Sequence, residues 1–221
     1  MRTAAVIVSA GLGRRFGAAK HEALLAGRPV LEWSLEAFRS APEVGGIVLV
    51  LRDAAEGEAL RRRFPQILSV VPGGPKRQDS VRSGFKDLDR EDWDLVLVHD
   101  GVRPLVGPEL IRRVVTAAAE FGAAVPVIPV EDTLKEVSQG TVRATLDRAG
   151  IFRSQTPQGF RYALLERALG EAEKAGFSGT DEAALVERLG SVVSAVPGER
   201  SNIKITTPED LRIAEAYLDE G

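Results

Sequence analysis

The sequence predicts an α/β fold: a mainly parallel, twisted sheet with helices on both faces and one inserted β-hairpin arm. Short Val- and Ile-rich apolar runs recur almost to the C-terminus, amphipathic stretches separate them, and one segment alternates instead of winding. Near-continuous apolar runs are what strands covered on both faces require. Their alternation with helical patterns is the signature of a doubly covered parallel sheet. At 221 residues, with no repeat, low-complexity tract or linker, a single domain over 1–221 is expected.

The elements follow in order. A first strand over 4–9 runs into Gly11, Gly13 and Gly17, interleaved with Arg14, Arg15 and Lys20. A helix over 29–39 carries Leu31, Leu35 and Phe38 on one stripe, with Pro29 at its first turn. Further strands are expected over 46–51, 68–71, 95–98, 123–128, 191–196 and 203–205. Residues 131–148 read as two alternating strands around Ser138-Gln139-Gly140-Thr141, a hairpin with little core of its own that must pack on something. The last helix opens Thr207-Pro208-Glu209-Asp210: a cap, a first-turn proline and early acids.

Composition narrows the function. With 44% hydrophobic and 28% charged residues the chain reads as globular, and a net charge of -3 argues against general nucleic-acid binding. No apolar run approaches the roughly 20 residues that span a bilayer, so no membrane role is expected. The N-terminus lacks the pattern of a signal peptide, and a cytoplasmic location is expected. The absence of Cys excludes disulfides and thiolate chemistry.

The glycine loop fails both common phosphate fingerprints. A P-loop's paired glycines, Lys and Ser/Thr are missing, and the spacing from Gly13 to Gly17 is not that of a dinucleotide site. What remains is a long cationic loop at a strand's carboxyl end, where ligands bind in open α/β sheets. It suits a triphosphate whose charge moves onto a leaving group. A flexible loop with solvated charges is the plain alternative. The run 95–98 delivers His99 and Asp100 to the same edge; Asp100 could hold Mg2+ or polyol hydroxyls, or merely cap a turn. His99 reads as packing, since neither His has metal-ligand company.

An ordered set of motifs then resembles a known family. Ala10-Gly11-x-Gly13-x-Arg15 with Lys20, Gly73-Gly74 before Asp79-Ser80-Val81, and His99-Asp100-x-x-Arg103-Pro104 come first. Asp132-Thr133, Asp147-Arg148, Gln155-Thr156-Pro157-Gln158, Thr180-Asp181-Glu182-Ala183 and Asn202-Ile203-Lys204 follow. Together they are similar to 2-C-methyl-D-erythritol 4-phosphate cytidylyltransferases, over essentially the whole chain. The resemblance implies CTP and a polyol phosphate as substrates, Mg2+ with the CTP, and a homodimer embraced by the hairpin arm. It implies Arg15 and Lys20 as transition-state stabilisers at the triphosphate, and Arg148 and Lys204 as the groups that position the acceptor phosphate. It places Ala10, Gly11, Gly13, Gly74 and Ser80 around the nucleotide. It sets Asp100, Arg103 and Thr133 around the acceptor, and counts Thr156 and Thr180 among the substrate-binding residues. Ser9 and Pro75 depart from the family pattern, and proline at that position removes a backbone donor. Two rivals remain at this point: a ribitol 5-phosphate cytidylyltransferase, and a nucleotide-binding regulator without turnover.

Overall fold

The computed structural model of the chain describes residues 1–11 and 22–219. Its centre is one sheet. Strand β1 (Thr3–Val8) lies between β4 (Val44–Leu51) and β6 (Leu95–Asp100), parallel to both, and β5 (Ile67–Pro72) extends the β4 edge in parallel. Two residues each form β2 (Leu24–Leu25) and β3 (Arg28–Pro29), a small antiparallel pair outside that sheet.

The sheet's two faces are written into the strands themselves. In β1, β4 and β6 larger side chains alternate with Val: Ile7, Ile47, Leu49, Leu95 and Leu97 join one buried cluster, and Val6, Val48, Val50, Val96 and Val98 the other. Helices α1 (Val30–Ser40) and α4 (Pro108–Phe121) cover the first face with Leu35, Phe38, Leu110 and Ile111. Helices α3 (Arg77–Lys86), α5 (Tyr162–Lys174) and α6 (Glu182–Arg188) cover the second with Val81, Phe85, Leu165 and Val186. The short α2 (Glu58–Arg63) lies between β4 and β5. The mainly parallel sheet and its two helical layers match the expected class.

The far side of the sheet is less regular. Strand β7 (Ala123–Pro129) follows β6 in sequence but is not its neighbour, because β11 (Gln158–Arg161) lies between them, antiparallel to both. Strand β10 (Phe152–Ser154) pairs antiparallel with the end of β7, and β12 (Ser194–Pro197) runs parallel to it. Neither β10 nor β11 was expected; each is short and carries Arg, Gln or Ser, too little apolar pattern to read.

Two expectations need correction. No strand forms over 203–205: Ile205 donates to the Val102 carbonyl at 2.8 Å, while its side chain and Ile203 pack with α7 (Pro208–Asp219) and Leu25. Lys204 between them is polar, so the segment anchors a loop. The run 191–196 enters the sheet only at Ser194. The hairpin forms as expected, with β8 (Leu134–Ser138) paired to β9 (Thr141–Leu146). Gln139 and Gly140 have φ of 50° and 76°, the left-handed pair that tight hairpin turns use. The start of α7 differs in detail from the expected cap: the Asp210 carboxylate accepts from the Thr206 and Thr207 amides at 2.7 and 2.8 Å.

Candidate active site

A cleft of about 540 Å³ opens at the carboxyl ends of β1, β4, β5 and β6. Each strand hands one segment to its wall: Ser9 to Gly11 after β1, Arg52 after β4, Gly73 to Arg77 after β5, and Asp100 with Val102 from β6. Lys204, in the loop before α7, closes it. The turn from β5 into α3 presses against the β1 end so closely that a Cβ on Gly73 would run into Ala10 Cβ. Glycine is required there by the approach of the backbones. The Ser80 hydroxyl accepts from the Gly74 amide at 3.1 Å, fixing that turn from within the helix.

Asp100 is the electrostatic centre. Its side chain is 9% exposed and accepts from Arg77 Nε at 2.9 Å and Lys204 Nζ at 2.7 Å, with Arg103 Nε 3.9 Å away. Burial alone would raise its pKa, but Arg77, Lys204 and Arg103 outweigh that and hold it well below the usual carboxylate range. Arg77 was not singled out from the sequence. A signal existed: it is the first residue of α3, where the helix macrodipole disfavours a cation, so something must hold it there. The carboxylates that do so are Asp100 and Glu182; Arg77 Nη1 donates to both Glu182 oxygens at 2.8 Å.

Below the wall lies a second, drier layer. The Thr156 hydroxyl accepts from the Asp100 amide at 3.1 Å and meets His99 Nδ1 at 3.2 Å; His99 Nε2 faces the Arg103 carbonyl at 3.3 Å. The ring is therefore neutral, with its proton on Nε2 toward that carbonyl. Burial, together with Arg103 and Arg77, pushes its pKa down to about 3. Asn202 Nδ2 donates to the Thr156 carbonyl at 2.9 Å, Arg103 Nη1 to the Asn202 carbonyl at 2.8 Å, and Gln155 Nε2 to the Glu199 carbonyl at 2.7 Å. This net stitches the loops carrying Asp100 and Lys204 together. Gln155 and Asn202 act here through backbone groups, a role spacing alone does not reveal.

The structure thus brings Ala10, Gly11, Gly74, Ser80, Asp100 and Lys204 onto one wall. Arg103 and Thr156 support it from behind, and Thr156 is buried rather than facing the cleft. Thr133, Arg148 and Thr180 are exposed and do not line the cleft of their own chain. Gly13, Arg15 and Lys20 lie outside the described residues. Asp100 as a metal ligand fits poorly, since both its oxygens already accept from cations. Among the described residues no group of three or more His, Asp or Glu could hold a metal.

Known proteins resolve the class. Residues 3–220 match the family model IspD, 2-C-methyl-D-erythritol 4-phosphate cytidylyltransferase. The chain is 42% identical over 222 residues to the enzyme of that name from Syntrophotalea carbinolica, covering 97% of this chain and 95% of that one. It is 43% identical over 238 residues to that from Solibacter usitatus, covering 100% and 97%. The crystal structure of the same-named protein from Thermus thermophilus superposes with a TM-score of 0.83 at 37% identity, covering 97% of this chain and 98% of that one. A 4-diphosphocytidyl-2C-methyl-D-erythritol synthase from Anaerococcus prevotii gives 0.86 at 33%, covering 99% and 98%. With the match running through both the cleft and the arm, the chain belongs to the 2-C-methyl-D-erythritol 4-phosphate cytidylyltransferase family of enzymes.

Proposed function

We propose that the chain transfers CMP from CTP to 2-C-methyl-D-erythritol 4-phosphate, giving 4-diphosphocytidyl-2-C-methyl-D-erythritol and pyrophosphate in isoprenoid precursor biosynthesis. The observation that carries this is the cleft at the carboxyl edge of the sheet, walled by residues that the resemblance sets around the nucleotide and closed by Lys204 on Asp100.

An oxygen of the acceptor phosphate attacks the α-phosphorus, and the bond from that phosphorus to the bridging oxygen breaks as pyrophosphate departs. A phosphate monoester loses its second proton near pH 6, so the nucleophile is already charged at neutrality and no side-chain base is needed. The task is to hold two anions together in line. Lys204 keeps one hydrogen bond to Asp100 and has two N–H groups left for a phosphate oxygen. Arg148 on the arm shares that role, while Arg15 and Lys20 meet the triphosphate. Ala10, Gly11, Gly13, Gly74 and Ser80 surround the nucleotide; Asp100, Arg103 and Thr133 shape the acceptor side, and Thr156 and Thr180 complete the substrate-binding set. Mg2+ comes with the CTP. Asp100 is the one carboxylate on the described cleft wall and is committed to Arg77 and Lys204, so an ion arriving with the CTP would be held chiefly by the nucleotide's own phosphates and would supply charge neutralisation there.

The enzyme works as a cytoplasmic homodimer through the 131–148 arm. Supporting this, Val137 and Val142 on the hairpin are 58% and 57% exposed, and Phe152 beside its base is 51% exposed. Those side chains need cover, and a second copy would bring Thr133 and Arg148 to a cleft they do not reach within one chain. Pyrophosphate release from CTP and Mg2+ tests the assignment, with methylerythritol 4-phosphate and ribitol 5-phosphate compared side by side. Turnover with the first alone is expected. Turnover with ribitol phosphate instead would move the enzyme to another pathway, and turnover with neither would leave a regulator.

A further inference from the structure

Glu182 is a carboxylate that the chemistry above does not use, yet it is 1% exposed, in the first turn of α6. It does not line the cleft. Burying an ionised carboxylate is costly unless a partner answers it, and an apolar residue would often serve the packing as well. Its partner is Arg77, and from there an alternating row of charges runs outward: Glu182, Arg77, Asp100, Lys204. Burial nonetheless raises the Glu182 pKa, against the attraction of Arg77; Asp100 and Asp181 push the same way as burial.

The geometry of the row is specific. A guanidinium beside a carboxylate prefers two parallel bonds, one to each oxygen. Arg77 does not engage Asp100 that way. Its Nη1 is drawn onto both oxygens of Glu182, and only Nε reaches Asp100, at Oδ1. Asp100 Oδ2 is thereby left for Lys204. We infer that Glu182 is a positioning residue for cytidylyl transfer: by holding one end of Arg77's fork it keeps an Asp100 oxygen open to Lys204, and so fixes that ammonium in the cleft. Without Glu182, Arg77 turns to pair with both Asp100 oxygens and Lys204 swings free. This rests on the reading that Lys204 positions the acceptor phosphate.

Steady-state kinetics of the full-length enzyme with CTP, Mg2+ and methylerythritol 4-phosphate test it, in Glu182→Gln, Lys204→Ala and the double variant. Glutamine offers one acceptor oxygen where Glu182 offers two, and no charge. Glu182→Gln is expected to lower kcat about 10- to 100-fold, as displaced positioning groups do, with KM for CTP little changed. In the Lys204→Ala background it is expected to change kcat by no more than about twofold, because the two act through one contact. Should Glu182→Gln fail to fold, Glu182→Asp, which keeps the charge but shortens the reach to Arg77, takes its place and is expected to show the same non-additivity with Lys204→Ala. Losses that multiply in the double variant, a loss confined to the CTP KM, or a Glu182→Gln enzyme with full kcat would each overturn the inference. A Lys204→Ala enzyme with undiminished kcat would instead overturn the reading of Lys204 on which it rests.

Discussion

His99 shows how a single side chain couples the fold to pH. It is neutral in the folded protein with a pKa pushed down to about 3, while in an unfolded chain it titrates near 6.5. Between those values the unfolded state binds the extra proton, so stability falls as pH decreases through that window, by about 1.4 kcal/mol per pH unit from this group. Asp100, whose pKa is depressed by Arg77, Lys204 and Arg103, acts in the same direction: its contribution is present above about pH 4 and is lost below it. Urea unfolding at pH 6 and pH 5 therefore discriminates. Wild type is expected to lose about 1 kcal/mol more than His99→Asn over that step, and equal losses would count against the buried neutral ring. Lys204→Ala belongs at this scale too. It is expected to reduce kcat by about 100-fold, the worth of one fixed charge at a reacting centre, measured by pyrophosphate release. Asp100 and Lys204 were readable from motif order, whereas Arg77 was not and Glu182 stood there only as a motif member without a role, because their importance lies in whom they pair with across 105 residues of sequence.

Helix α3 carries Arg77 and Ser80 to the cleft, and its height above the sheet is set by a missing side chain. A Cβ on Gly84 would sit 2.6 Å from Val6 Cγ1 and 2.7 Å from Val50 Cγ2. Gly84→Ala should thus lift the helix and destabilise the protein by about 1–3 kcal/mol despite alanine's better helix propensity; thermal melts would check the sign. The arm makes a different kind of prediction. If each hairpin serves the other copy's cleft, Lys204→Ala and Arg148→Ala chains, each nearly inactive, should complement when refolded together. Random pairing leaves one intact site in half of the dimers, so about a quarter of wild-type activity returns in a two-fold assembly. No recovery would place Arg148 in its own chain's site or outside chemistry altogether. The hairpin was legible because alternation and a Gln-Gly turn are local signals. Strands β10 and β11 were invisible since three or four residues with mixed polarity become strands only when β6 and β7 offer them edges.

Across the whole molecule, a net charge of -3 coexists with a cleft whose described wall carries Arg52, Lys76, Arg77 and Lys204 against Asp100 alone. Such a local field attracts a polyanion into an acidic protein. Raising ionic strength should therefore reduce kcat/KM for CTP several-fold while leaving kcat nearly constant, since steering is screened and bound contacts are less so. A salt-independent kcat/KM would show that the overall negative charge dominates the approach. The sheet class was readable at this scale from the Leu/Ile–Val alternation of β1, β4 and β6, which addresses each face separately. Lateral order was not, because β11 takes its place by returning from late in the chain.

That return has a consequence for how the protein is made. Strands β1, β4, β5 and β6 are one another's neighbours and lie within the first 100 residues, so the frame of the cleft needs nothing that is made later. Strand β7 emerges next with neither edge occupied, and most of its length stays so until Gln158–Arg161 slides in beside it and Ser194–Pro197 takes its other edge. For that interval the nascent chain exposes an open apolar ribbon, Ala123–Pro129, to whatever else is in the cell. A chain cut short before residue 158 is therefore expected to keep most of that edge open, and an open apolar edge invites pairing with other chains.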